Sequence, residues 1–142
     1  MAFLEWQEIF ETGIEEVDNQ HQHLLDVINH LDELYNSGRE VSESEINEAL
    51  EQLFSYTDYH FESEERIMRE IRYSDQDKHK HQHQDLIARL TSKAEKLRCG
   101  AGVTCPELLA FLSDWAINHI MTEDTKIGAE YRDYYHLHAV ES

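Results

Sequence analysis

Between Ser42 and Ile71 the chain carries one unbroken stripe: Ile46, Leu50, Leu53, Thr57, His60, Glu64, Ile67 and Ile71, in alternating steps of four and three. Positions spaced in this way return to one face of an α-helix, whereas a strand returns to a face every second residue. Ser42, with Glu45 three residues on, reads as a capping box and gives the helix a start signal. A helix of this length presents an apolar face that needs partners, and three further segments supply them. The first runs from about Asp18 to Ser37 with Leu24, Ile28, Leu31 and Tyr35 in phase, and closes at Asn36-Ser37-Gly38 as at a glycine C-cap. The third begins near Asp75, carries Leu86, Leu90, Ala94 and Leu97, and ends at about residue 98, before Gly100 and Gly102. The fourth starts around Pro106, a residue tolerated in a first helical turn, and carries Leu108, Leu112 and Trp115 to about residue 127. No segment sustains period-2 alternation. Four such stripes joined by short connections predict an all-α protein, an antiparallel up-down-up-down four-helix bundle. The arm over residues 1–17, with Trp6, Phe10 and Ile14, is expected to pack across its outside. No repeat or low-complexity stretch divides residues 1–142, so one domain is expected.

Asp plus Glu number 30 against 12 Lys plus Arg, a formal net charge of −18. A field of that sign repels phosphate backbones and anionic lipid, so neither nucleic acid nor a membrane surface is an expected partner. The opening residues MAFLEWQEIF show no basic segment followed by an apolar run, and the longest clean apolar run, Leu108–Leu112, is far short of a membrane span. A cytoplasmic location follows as the expectation. Cys99 and Cys105, close together in RCGAGVTC, are then expected to be reduced thiols in a loop.

Several residues in the stripes do not belong in an apolar core. His60 and Glu64 continue the second stripe without breaking step. His79 and His83 extend the third backwards from Leu86, His119 extends the fourth forwards from Trp115, and His21 leads into Leu24 and Ile28 on the first. A carboxylate and five imidazoles facing one interior are costly to bury unless something pairs with them. In an antiparallel bundle their depths agree, late on the second and fourth helices and early on the first and third, so the sets meet toward one end. Imidazole nitrogens and a carboxylate in one dry interior describe a metal site. His23, His30, His81, His136 and His138 are not expected to take part; His23 and His81, two residues from a candidate ligand, point ~160° away from it. No cysteine joins the cluster, which disfavours iron–sulfur chemistry, and five nitrogens are too many for one tetrahedral zinc. Two metals bridged by carboxylates fit better. No histidine has a glutamate three residues before it, so the Glu-x-x-His pattern of ferritin-like bundles is absent.

The motifs LEW…TGIEEVDNQHQHLL, HFESEERIM, HKHQHQDL and WAINHIMTED, in this order over nearly the whole chain, resemble the hemerythrins, in particular the single-domain bacterial kind. The resemblance implies a non-haem di-iron centre. His21 and His60 would bind one iron, His79, His83 and His119 the other, and Glu64 and Asp124 would bridge both beside an oxo or hydroxo group. The first iron would keep an open position for dioxygen, with Leu24, Phe61, Trp115 and Ile120 lining the pocket around it. Ala116, where the family commonly has leucine, would border the same pocket. Helix geometry and family pattern conflict at the last ligand. Four residues from His119 is Glu123, on the same face, whereas Asp124 lies five away, about 140° round a regular helix. The family spacing selects Asp124, which requires a helix locally widened, as in a π-bulge, or ending there.

The function so implied is reversible dioxygen binding for storage, delivery or scavenging, at two iron ions (Fe²⁺/Fe³⁺) per chain. Small anions such as azide would bind the diferric form. No enzyme activity is expected, since no acid–base pair or substrate cleft is visible beyond the ligands. The alternatives are a sensor of oxygen or nitric oxide acting through a protein partner, a di-iron oxidase or peroxidase, and a metal-free or zinc-bearing structural bundle. The aromatic and histidine-rich tail EYRDYYHLHAVES carries no assignment.

Overall fold

The computed structural model describes residues 3–38, 40–99 and 105–141. It is an all-α antiparallel bundle of α1 (Glu15–Tyr35), α2 (Glu43–Ile71), α3 (Gln76–Cys99) and α4 (Cys105–Asn118). A π-helical segment, His119–Asp124, then continues α4 into α5 (Thr125–Glu141). Each of the first three helices packs against its successor, and α4 closes the bundle against α1. No helix is long and apolar enough to cross a membrane among the described residues.

The expected start signal of α2 is present: Ser42 Oγ accepts the Glu45 backbone N–H at 3.2 Å. The helix ends at Arg72, which adopts the left-handed conformation with φ 54°. That residue and the bond from Tyr73 N–H to the Met68 carbonyl, 2.9 Å, stop the helix abruptly. The chain then reverses within a few residues and returns as α3, which brings His79 back beside Glu64. The stripe read from the sequence is the buried one: Leu50, Leu53, Thr57, His60, Glu64, Ile67 and Ile71 are all buried.

Two boundaries differ from the sequence reading. The first helix begins at Glu15 rather than near Asp18. The fourth does not stop near residue 127 but runs on as α5, tied back to α2 by Tyr135, whose hydroxyl donates to Glu70 Oε1 at 2.5 Å. Within the arm, Glu8–Phe10 form a single 3-10 turn that packs against the π segment. Asn29 fastens the arm to α1, accepting from Leu4 N–H at 2.7 Å and donating to the Leu4 carbonyl at 2.8 Å. The loop expected between the two cysteines, 100–104, and the side chains of Cys99 and His138 lie outside the described residues. Cys105 opens α4 and is buried.

The core is divided in two. A large apolar cluster, including Leu24, Ile28, Leu50, Leu53, Leu90, Leu108, Leu112, Ala116 and Ile120, fills most of the bundle. A smaller one of Ile14, Val17, Ile67, Met68, Ile71, Tyr73 and Ile127 closes the other end. His21 on α1, His60 and Glu64 on α2, and Asp124 on the α4–α5 helix lie between them in sequence. The apolar plug beyond them explains how they stay dry.

Candidate metal centre

Each helix contributes one or two polar residues, all but Asp124 where its stripe predicts. His21 comes from α1, His60 and Glu64 from α2, His79 and His83 from α3, and His119 and Asp124 from the ends of the π segment. All seven are buried, with His21, Glu64 and Asp124 at 0 % exposure. The two carboxylates divide their oxygens between two sets of imidazoles. Glu64 Oε2 is 3.7 Å from His21 Nε2 and 3.5 Å from His60 Nε2, and Asp124 Oδ2 is 2.7 and 4.0 Å from the same two atoms. Glu64 Oε1 faces the other set, at 3.4 Å from His79 Nε2 and 3.0 Å from His83 Nε2. Asp124 Oδ1 lies 3.0 Å from both His79 Nε2 and His119 Nε2. Two ligand groups result: His21, His60, Glu64 and Asp124, and Glu64, His79, His83 and His119, the atoms of each lying within 4.8 Å of one another.

The widened helix accounts for Asp124. In a π-helical turn five residues complete what four complete in an α-helix, so His119 and Asp124 share one side. Glu123 is turned outward instead, 3.6 Å from Lys126 Nζ. Thr122, within the segment, donates its hydroxyl to the Asn118 carbonyl.

The donors fit cations. Glu64 Oε2, His119 Nε2 and Asp124 Oδ1 are buried without a hydrogen-bond partner; the last two stand 3.0 Å apart without the alignment of a hydrogen bond. Protons do the balancing in the polypeptide alone. Burial works to lower the pKa of His21 and His79, but hydrogen bonds to Asp124 and Glu64 outweigh it and raise them to about 9 and about 10. Burial prevails at His60 and lowers it to about 4. Burial opposes ionisation of Glu64 and Asp124 as well, yet the surrounding imidazoles hold both below the usual carboxylate range. The cluster therefore keeps both carboxylates ionised and calls for positive charge between them. Imidazole and carboxylate donors of this kind suit divalent iron, zinc or manganese, and the split into two groups suits two ions rather than one.

Around the donors, Phe61 stacks on the His83 ring at 3.7 Å between centroids and 7° between planes, and lies 5.9 Å from His60. Trp115 stacks on His119 at 5.0 Å and 17°, and meets Phe61 edge-on at 5.8 Å. These rings thus lie mainly against the three-imidazole half. Leu24, Ala116 and Ile120 are buried together in the large apolar cluster. Of the histidines set aside, His23, His30, His81 and His136 are exposed. The sequence reading missed Gln20 and Ser63. His60 Nδ1 lies 2.7 Å from Gln20 Oε1, and Gln20 Nε2 donates to Ser63 Oγ at 3.0 Å. Their only signal is adjacency, each lying one residue before a candidate ligand.

A family model described as the hemerythrin HHE cation binding domain matches residues 12–131. Bacteriohemerythrin of Pseudomonas aeruginosa (strain LESB58) is 37% identical over 124 residues, covering 87% of this chain and 78% of that protein. Bacteriohemerythrin of Methylococcus capsulatus (strain Bath) is 31% identical over 129 residues, covering 90% and 96%. A crystal structure of wild-type hemerythrin superposes with a TM-score of 0.80 at 29% identity, covering 92% of this chain and 98% of that one.

Proposed function

Given that this chain belongs to the hemerythrin family, we propose that residues 1–142 form one cytoplasmic domain that binds dioxygen reversibly at a di-iron centre, as an oxygen store, carrier or scavenger. The observation that carries the reading is the division of the Glu64 and Asp124 oxygens between a two-imidazole and a three-imidazole group. Glu64 and Asp124, shared between the two groups, would hold two ions, and the unequal imidazole count would leave the His21–His60 side a ligand short of its neighbour. When bound, a pair of ferrous ions supplies the two electrons that dioxygen takes up. The chain itself supplies dryness and fixed donors. Leu24, Ala116 and Ile120 in the apolar cluster, and Phe61 and Trp115 stacked on His83 and His119, would exclude the water and protons that turn reversible binding into oxidation. No side chain is needed as acid or base, which supports a binder rather than an enzyme.

Purified protein loaded with iron should hold two irons per chain. Titrating the reduced protein with oxygen should give a spectrum that reverses when oxygen is removed. Continuous oxygen consumption under the same conditions would identify an oxidase instead, and one iron per chain would overturn the two-ion centre. Lowering the pH should release the metal, because a protonated imidazole has no lone pair to offer.

Ala116 gives a finer test of the pocket. It is fully buried in the same apolar cluster as Leu24 and Ile120, and leucine there would add three carbons. Ala116→Leu should slow autoxidation of the oxygenated protein and slow azide binding to the diferric protein, by filling space that water and anions otherwise enter. A lowered melting temperature with unchanged autoxidation would mean that the position is ordinary core, overpacked by about 1–3 kcal/mol.

A further inference from the structure

Beside the donors runs a buried hydrogen-bond chain whose direction is fixed from one end. It starts at the backbone carbonyl of Tyr59, which has no hydrogen and can only accept. Ser63 donates its hydroxyl to that carbonyl at 3.1 Å, so only lone pairs remain to face Gln20. Gln20 Nε2 donates to Ser63 Oγ at 3.0 Å, and this turns the other end of the amide, Oε1, toward His60 Nδ1 at 2.7 Å. An acceptor at that distance requires His60 to carry its hydrogen on Nδ1. The lone pair is then on Nε2, the nitrogen that faces Glu64 and Asp124.

We propose that Ser63 and Gln20 are positioning residues that select the ligating nitrogen of His60, relaying the polarity of the Tyr59 carbonyl through two side chains. The alternative tautomer would aim a hydrogen at the metal position. Nothing on that side competes well for it: the nearest oxygens, Glu64 Oε2 and Asp124 Oδ2, are 3.5 and 4.0 Å from His60 Nε2, against 2.7 Å for the bond to Gln20. Gln20 and Ser63 are 5 % and 7 % exposed, so water cannot readily replace either partner. A hydrogen bond to the ring nitrogen that faces away from the metal fixes both the orientation and the basicity of a ligand histidine. The amide is the weak link, because glutamine fits nearly as well turned end for end. Ser63 is what prevents the turn: a flipped Gln20 would set Oε1 against an oxygen whose hydrogen is already committed to Tyr59.

The proposal rests on the metal-centre reading for its purpose, but its test does not need the metal. Histidine labelled with ¹⁵N in the metal-free protein at pH 8 reports which ring nitrogen of His60 bears hydrogen. Wild type should show it on Nδ1. Ser63→Ala removes one oxygen and frees the amide to flip, and Gln20→Leu removes the acceptor; both should move His60 toward the Nε2–H form. Gln20→Glu, which keeps an acceptor, should retain Nδ1–H. Titration of the same proteins with Co²⁺ should show about 10–100-fold weaker binding for the first two variants and near wild-type binding for the third. Should Gln20→Leu fail to fold, Ser63→Ala carries the test, with its helical circular dichroism as the control. An Nδ1–H signal that persists in Ser63→Ala overturns the relay. Failure of wild type itself to bind Co²⁺ would count against the metal centre while leaving the tautomer result to judge the relay.

Discussion

Asp124→Ala should abolish the two-metal centre, whereas Glu123→Ala should leave it intact. The two residues are neighbours of the same charge, so the contrast tests geometry alone. Asp124 is fully buried and is the one carboxylate that reaches His21, His79 and His119 within 3.0 Å. Removing it leaves Glu64 as the sole link between the two imidazole groups and strips each prospective ion of an oxygen. Iron content should fall from two per chain to one or fewer, with loss of the near-ultraviolet bands of the oxidised centre. Glu123 is half-buried on the outer side, near Lys126, in a pair of the kind worth well under about 1 kcal/mol. Its removal should change stability by no more than about 0.5 kcal/mol and iron content not at all. Spectra and iron analysis of the two variants decide the matter. The reverse outcome would mean that the helix is regular in the loaded protein and that Glu123 is the bridge.

That contrast also marks where the sequence stops being legible. His60 and Glu64 could be read because they sit in phase with Leu53 and Ile67 on a regular helix, where polarity out of place is visible against the period. His21, His79, His83 and His119 were legible on the same ground. Asp124 was not, because a π segment changes the period from four to five there, and periodicity alone selects Glu123, which faces outward. Only the resemblance pointed to Asp124, the residue that the π segment turns inward. Gln20 and Ser63 left no periodic trace either, since what they do depends on hydrogen-bond direction between two helices, and a single chain's spacing does not encode direction. The far end of the fourth helix was lost for another reason. Its packing face beyond Ile127 is made of partly buried tyrosines, Tyr131 and Tyr134, rather than an aliphatic stripe, and Gly128 interrupts it.

Gly128 is a site of close approach rather than a helix stop, and Gly128→Ala should therefore destabilise the fold. A Cβ there would lie 2.0 Å from the Thr12 carbonyl oxygen, 2.8 Å from its carbonyl carbon and 3.0 Å from its Cα, so every obstructing atom is backbone. The arm cannot simply slide away. Thr12 N–H and Oγ–H both donate to Asp18 Oδ1 at 2.8 Å, and Gly13 N–H donates to Asp18 Oδ2 at 3.2 Å. The Thr12 hydroxyl also accepts Ile14 N–H at 3.0 Å, and the Thr12 carbonyl accepts from Arg132 Nη1 at 3.3 Å. Gly13, at φ 85°, makes the turn that these bonds hold. Two effects oppose each other in the variant. Alanine is favoured over glycine inside a helix by about 1 kcal/mol. Against this stand overpacking of roughly 1–3 kcal/mol and about 1 kcal/mol for each arm hydrogen bond that must stretch or break. The clash should win, with a net loss of about 2 kcal/mol and a fall in melting temperature of roughly 6–10 °C for a chain of this size. Thermal unfolding of the metal-free protein, followed by helical circular dichroism, gives the sign directly. A melting temperature that stays the same or rises would show that helix propensity outweighs the contact and that the arm gives way at little cost.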